Sequence, residues 1–300
     1  MRDEYDLSRL NGGVQGQYSG GYALSIPVGP LTFRAREAGP KDGPLVLLLH
    51  GFPQSSAEWK VQLEALGAAG YHAVAPDQRG YSPGARPEEV DAYRIDALVA
   101  DVLGMADVLG AATFHLVGHD WGAIVAWHVA ARHPKRLRSL TIVSVPHPNA
   151  FARALAPESG TDQPARSTYI AGFKTEGAEA AMGEDFLRMA FNASGLSGHD
   201  VEDHVRVLTE PGAMRAGLNW YRAYDFLKQS AAKIEVPTLF IWSTADPALG
   251  RDGAEWTAEH VAAPYRFVVI EDGPHWLPET HAGEVNALLL EHVAMHSARR

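Results

Sequence analysis

Residues 114–123 read Phe-His-Leu-Val-Gly-His-Asp-Trp-Gly-Ala, an apolar run that meets Gly-His-Asp-Trp-Gly and passes into an Ala-rich segment. The pattern predicts a buried strand turning sharply into a buried helix, with glycines where a Cβ would not fit: the layout of a nucleophile elbow. The commoner form, Gly-x-Ser-x-Gly, carries serine at its centre, and this chain carries Asp120. The difference decides the chemistry. A carboxylate attacking a carbonyl would give a high-energy anhydride, whereas at a saturated carbon it gives an alkyl ester that water can hydrolyse. At the start of a helix, Asp120 would also be held ionised by the dipole and the free N–H groups.

The segments on either side predict what surrounds this elbow. Residues 22–28 and 31–37 read as two strands joined by a turn at Gly29-Pro30, after a polar, Gly-rich lead-in over residues 1–20. Residues 45–49 form a continuous apolar run, as expected of a strand covered on both faces, and lead into His50-Gly51-Phe52-Pro53. A helix over 58–67 and a strand over 71–76 follow. Ile95, Leu98, Val99, Val102, Leu103, Ala106 and Leu109 then keep the spacing of one helix face. Beyond the elbow come a helix over 123–132 and a strand over 140–145. This alternation predicts a mostly parallel α/β sheet.

It breaks at Pro146-His147-Pro148-Asn149. From there to residue 229 the chain shows no strand pattern, only helix-like segments such as 184–191 and 218–227. Alternation resumes with a strand over 236–242, a helix near 253–260, a strand over 265–270 and a closing helix over 284–296. The expected organisation is therefore a sheet-bearing core from 1–146 and 230–300, with a helical insertion over 147–229.

Composition narrows the function classes. With 46% hydrophobic residues in 300, the chain can bury a large core, and a net charge of −10 offers no footprint for nucleic acid. No cysteine is present, so disulfides and thiolate metal sites are excluded. The charged first ten residues lack a signal core and no apolar run approaches a bilayer span, which predicts a cytoplasmic protein without membrane contact. Arginine far outnumbers lysine and alanine is abundant, a composition that points to a GC-rich bacterial genome.

A carboxylate nucleophile needs a base for water, an orienter for that base, and donors for an oxyanion. His275, in Asp272-Gly273-Pro274-His275-Trp276 after the last strand, is the candidate base. Asp246, after the strand over 236–242, would accept its Nδ1 proton. His50-Gly51-Phe52-Pro53 sits where an oxyanion loop would, so the amides of Phe52 and Trp121 are the candidate donors, with His50 and Pro53 shaping the loop and pocket.

Together these motifs, in this order, resemble the α/β-hydrolase superfamily, and Asp120 points to its branch of epoxide hydrolases and haloalkane dehalogenases. The resemblance covers residues 20–296 and implies a lid of helices after the sixth strand, matching the break at Pro146. In epoxide hydrolases two lid tyrosines bind the epoxide oxygen. Leu218-Asn219-Trp220-Tyr221-Arg222 is similar to their Asn-Trp-Tyr-Arg motif and makes Tyr221 one donor. The segment from Thr168-Tyr169 to Glu179 is similar to the one carrying the other, so Tyr169 is the second, while Tyr224 stands one helical turn beyond Tyr221.

The resemblance thus implies a cofactor-independent hydrolase turning epoxides and water into vicinal diols through an ester on Asp120, with no metal and no nucleic-acid partner. A homodimer is left open. Haloalkane or haloacid dehalogenases share the triad, but many of the former place Asn where Phe52 stands, and fluoroacetate dehalogenases place Arg where Trp121 stands. A catalytically silent hydrolase-fold ligand-binding protein would lack part of the triad.

Overall fold

In the run Leu45–Leu49, strand β3, every residue is buried, because the strand has neighbours on both edges and helices on both faces. Val46 and Leu48 face one layer, Leu45, Leu47 and Leu49 the other, as the two-residue period of a strand requires. The structure, a computed structural model, describes residues 21–196 and 198–297; the lead-in read over residues 1–20 lies outside them.

The sheet has eight strands in the order β1-β2-β4-β3-β5-β6-β7-β8. They are β1 (Leu24–Val28), β2 (Leu31–Ala38), β3, β4 (His72–Pro76), β5 (Phe114–His119), β6 (Leu137–Val143), β7 (Thr238–Ser243) and β8 (Tyr265–Ile270). β1 and β2 form an antiparallel hairpin with Val28 opposite Leu31, so Gly29 and Pro30 make its turn. β2 is antiparallel to β4, and every later pairing is parallel. Helices α1 (Lys60–Ala68) and the closing helix α10 (Ala282–Ser297) cover one face, and α2 (Ile95–Val108) and α3 (Trp121–Arg132) cover the other. Among the described residues no helix is long and apolar enough to cross a membrane.

Between β6 and β7, among the described residues, lie six α-helices, one 3-10 turn (Ala178–Ala181) and no strand: α4 (Pro148–Leu155), α5 (Gln163–Arg166), α6 (Tyr169–Lys174), α7 (Glu184–Ala193), α8 (His199–Leu208) and α9 (Ala213–Ala223). The chain leaving β6 and the chain returning to β7 are stitched together. The Asn149 side-chain amide donates to the Ala231 carbonyl and accepts its N–H, both at 3.0 Å, and His147 Nε2 bonds the Ala232 carbonyl at 3.3 Å.

Three local expectations need correction. The segment over 58–67 begins as a 3-10 turn, Ser56–Trp59, before α1. β6 starts three residues earlier than the apolar run suggested, because Leu137 pairs with Phe114 across a register shift in β5. The helix expected over 218–227 ends at Ala223, and Tyr224 is extended (φ −111°, ψ 127°). There the Asp225 side chain accepts the Leu227 N–H and begins a separate turn that competes with the helix.

Candidate active site

Asp120 has a positive φ of 47°, a strained conformation for a residue with a side chain. Ser144 and Asp272 are the other non-glycine residues with positive φ among the described residues, and all three follow C-terminal strand ends. Strain is thus concentrated at one rim of the sheet. The elbow is tight enough to need its glycines: a Cβ on Gly122 would lie 2.0 Å from the Leu49 carbonyl oxygen, and one on Gly118 2.4 Å from that of Gly122. The Asp120 carbonyl accepts the N–H groups of Ala123 and Ile124 and starts α3.

This turn aims the Asp120 carboxylate at two partners. The Phe52 amide donates to Oδ1 at 2.7 Å, and Oδ2 lies 3.4 Å from His275 Nε2. The Trp121 N–H, first in its helix, has no intrahelical acceptor, and no bond from it to the carboxylate occurs among the described residues. His275 Nδ1 bonds Asp246 Oδ2 at 2.7 Å, and Asp246 Oδ1 accepts the amides of Ala248 (2.8 Å) and Leu249 (3.0 Å). Asp120, His275 and Asp246, the three candidate residues, therefore form one chain of contacts, although 126 residues separate Asp120 from Asp246 along the sequence.

The charges in this chain depend on one another. Burial alone would raise the Asp120 pKa, but the hydrogen bond and charge of His275, with the Phe52 amide, bring it below the usual carboxylate range. Burial likewise pulls His275 down, but the Asp246 charge and the Asp120 hydrogen bond outweigh it and push the imidazole up to about 10. The resting site thus holds an imidazolium between two carboxylates. A folded-state value above the unfolded one stabilises the fold fully below pH about 6.5, and that contribution is lost as pH rises through about 10. Replacing Asp120 with Asn removes the neighbouring charge, so NMR titration of the His275 ring should show its pKa fall. An unchanged value would mean that Asp120 does not set it.

His50 is a loop-shaping residue in its contacts. Burial lowers its pKa to about 4, so the ring is neutral, and its Nε2 accepts the Gln78 N–H at 3.0 Å while Nδ1 donates to the Gly51 carbonyl at 2.8 Å. Pro53 stands beside Phe52 in the wall of the same site.

Tyr169 and Tyr221 both face Asp120, one from the start of α6 and one from α9, with ring centroids 6.4 Å apart at 80°. Tyr221 is held edge-to-face by Trp121 (4.9 Å), Phe173 (5.1 Å) and Phe52 (5.4 Å). Burial, and next the Asp120 charge, raise both phenols far above the usual tyrosine value, so each keeps its proton. The Tyr224 ring walls the same space, but its hydroxyl turns away and bonds His128 Nε2 at 3.0 Å.

Two spaces meet at Asp120, Tyr169 and Tyr221. One is walled by Trp121, Phe151, Tyr224 and Phe226, the other by Phe173, Phe186 and Trp276. The walls are mostly apolar, with a few polar groups converging on one carboxylate, the usual form of a small-molecule site.

Sequence reasoning missed the support behind His275. His119 Nε2 donates to the His275 carbonyl at 3.0 Å, as does the Ser144 hydroxyl at 3.0 Å, and Ser243 holds the neighbouring Pro274 carbonyl at 2.9 Å. Burial lowers the His119 pKa to about 3, so its Nδ1 is a bare lone pair, 3.3 Å from Glu58 Oε2. Burial and the Glu279 charge raise Glu58 well above the carboxylate range, and the protonated acid supplies the donor that Nδ1 needs. His119 lies inside the elbow motif, but its partners come from distant segments that no local spacing reveals.

The alpha/beta hydrolase fold family model matches residues 44–282. The chain belongs to that family. Epoxide hydrolase A of Mycobacterium tuberculosis is 36% identical, with 87% of this chain and 94% of that protein covered. The AB hydrolase superfamily protein YfhM of Bacillus subtilis is also 36% identical, over 88% of this chain and 94% of the other. Among solved structures, epoxide hydrolase A from Mycobacterium thermoresistibile matches with a TM-score of 0.78 and 31% identity, covering 90% of this chain and 97% of that one.

Proposed function

We propose that this protein is an epoxide hydrolase that forms a covalent ester on Asp120, with residues 147–229 as the cap over its active site. The observation that carries the reading is the convergence of Asp120, His275 with Asp246 behind it, the Phe52 amide and two protonated tyrosines where two adjoining spaces meet. The similarity to named epoxide hydrolases over most of the chain supports the substrate class.

Asp120 Oδ2 attacks an epoxide carbon, the C–O bond breaks, and its electron pair goes to the ring oxygen. Tyr169 and Tyr221 hold that oxygen, and one of them gives it a proton. The imidazolium at His275 returns a proton to that tyrosine. Esterification also removes the Asp120 hydrogen bond and charge, which act after the Asp246 charge in raising the His275 pKa, so the ring that has given up its proton serves more readily as a neutral base. It then takes a proton from water, whose oxygen attacks Cγ of Asp120. Charge develops on Oδ1, where the Phe52 amide already donates and where Trp121 at the open end of α3 is the second donor. The Cγ–Oδ2 bond breaks, the diol leaves with Oδ2 and a proton, and the carboxylate–imidazolium pair is restored.

The sequence of bonds predicts where oxygen from water goes. One turnover of an epoxide in heavy-oxygen water should place the label in Asp120, detected in its peptide by mass spectrometry. Label found in the first-turnover diol instead would mean direct attack by water and would overturn the ester mechanism.

A further inference from the structure

We infer that Arg222 and Lys174 are positioning residues, forming a reciprocal clasp between α6 and α9 that sets the spacing of Tyr169 and Tyr221; this rests on the two-donor reading above. Each cation reaches the carbonyl just past the end of the other's helix. Arg222, near the end of α9, donates to the Thr175 carbonyl at 3.0 Å, and Lys174, the last residue of α6, donates to the Tyr224 carbonyl at 2.7 Å. Both carbonyls lie at helix C-termini, where the dipole favours a positive charge.

The two helices differ in how else they are held. α9 buries most of its residues and is tied to the core by the Trp220 indole N–H on the Arg79 carbonyl at 2.9 Å. α6 is six residues long and has no fully buried residue, only Tyr169, Ile170 and Phe173 packed partly buried against the core. The chain entering it is fixed, since Arg166 donates to the Asp246 carbonyl and Gln163 to that of Ala248, both at 2.7 Å. Its far end is tied by the clasp. Arg222 also bonds Glu179 Oε2 at 2.7 Å and Asn219 Oδ1 at 3.0 Å, so its guanidinium spans α9, the end of α6 and the segment after it. Only a planar fork with several donors can serve all three. Arg222 is largely shielded whereas Lys174 is exposed, so water weakens the lysine arm and Arg222 carries the larger share.

Two donors that share one oxygen must keep a fixed separation, and a misplacement of about 1 Å can cost on the order of 10²-fold in rate. The clasp bears on the first chemical step alone, because water attack on the ester uses groups on the sheet loops. The test uses the full chain with styrene oxide as probe. Single-turnover tryptophan quenching reads alkylation, and intact mass reads decay of the ester. Arg222→Gln should slow alkylation by on the order of 10-fold while ester decay is unchanged. Arg222→Lys, which keeps the charge and loses the fork, should remain slow, and Lys174→Met should show a smaller effect of the same kind. In a Tyr169→Phe background Arg222→Gln should add little, since the clasp acts through that donor.

Equal slowing of both steps, no slowing, or full additivity in the Tyr169→Phe background would overturn the clasp. Should Arg222→Gln fail to fold, Arg222→Lys and Lys174→Met give the same readouts. Should Tyr169→Phe and Tyr221→Phe themselves leave alkylation unchanged, the two-donor reading fails instead. If they slow it while the clasp variants do not, the clasp alone is wrong.

Discussion

His275→Gln should leave Asp120 able to open an epoxide and unable to release the product. The first step needs a carboxylate with a free oxygen, the Phe52 amide on the other oxygen, and proton donors for the leaving group; His275 only helps to hold Asp120 ionised and restores the tyrosine proton afterwards, and without it the Phe52 amide still favours the carboxylate. The second needs water deprotonated beside Cγ, and glutamine cannot accept a proton near neutral pH. Loss of a positioned base costs on the order of 10²–10⁴ in rate, so an ester should accumulate and persist. Intact mass spectrometry after mixing with an aryl epoxide should show protein plus one substrate. Circular dichroism is the control for folding. A folded variant that never forms the adduct would make His275 indispensable to the first step and overturn its assignment to ester hydrolysis.

Tyr169→Phe and Tyr221→Phe test the other half of the reaction. An epoxide oxygen leaves as an alkoxide, which needs a proton or strong hydrogen bonds at neutral pH, whereas a halide needs no proton. Both phenols stay protonated and face the same space, so each can partly substitute for the other. Each single change should slow alkylation by less than about 10²-fold and the pair together by on the order of 10⁴-fold, a non-additive result. Phe preserves the ring contacts of Tyr221 with Trp121, Phe173 and Phe52, so folding should hold. Unchanged alkylation in all three variants would remove the epoxide assignment and favour halide displacement.

The sheet was legible because its strands are written in local chemistry. The bounds of β3 and β8 coincide with the expected 45–49 and 265–270, where apolar runs end in Gly, Pro or charge. The Asp120 elbow was legible for a similar reason: a sharp turn demands Gly118 and Gly122 at fixed offsets. Between β6 and β7 the sequence marked α7 and part of α9, as 184–191 and 218–227, but not the shorter helices. α5 and α6 are only four and six residues long, below what periodicity can resolve, and they hold their shape through contacts with other segments. The early end of α9 escaped because Asp225 competes with the helix through one side-chain bond. Glu58, Ser144 and Arg222 act through partners 43 to 131 residues away, a separation that no window along the chain can join.

Asn149 and Ala231 meet like rungs of a ladder although 82 residues separate them. With both ends of that long excursion pinned at one point, its interior can gain or lose residues without shifting the register of β6 and β7, since lengthening a closed loop adds only a logarithmic entropy cost. Insertions there would redraw the walls around Tyr169 and Tyr221 while the Asp120–His275–Asp246 array stayed in place. The join marks where one relative's helices could be transplanted onto another's sheet, exchanging substrate choice and keeping the hydrolytic step.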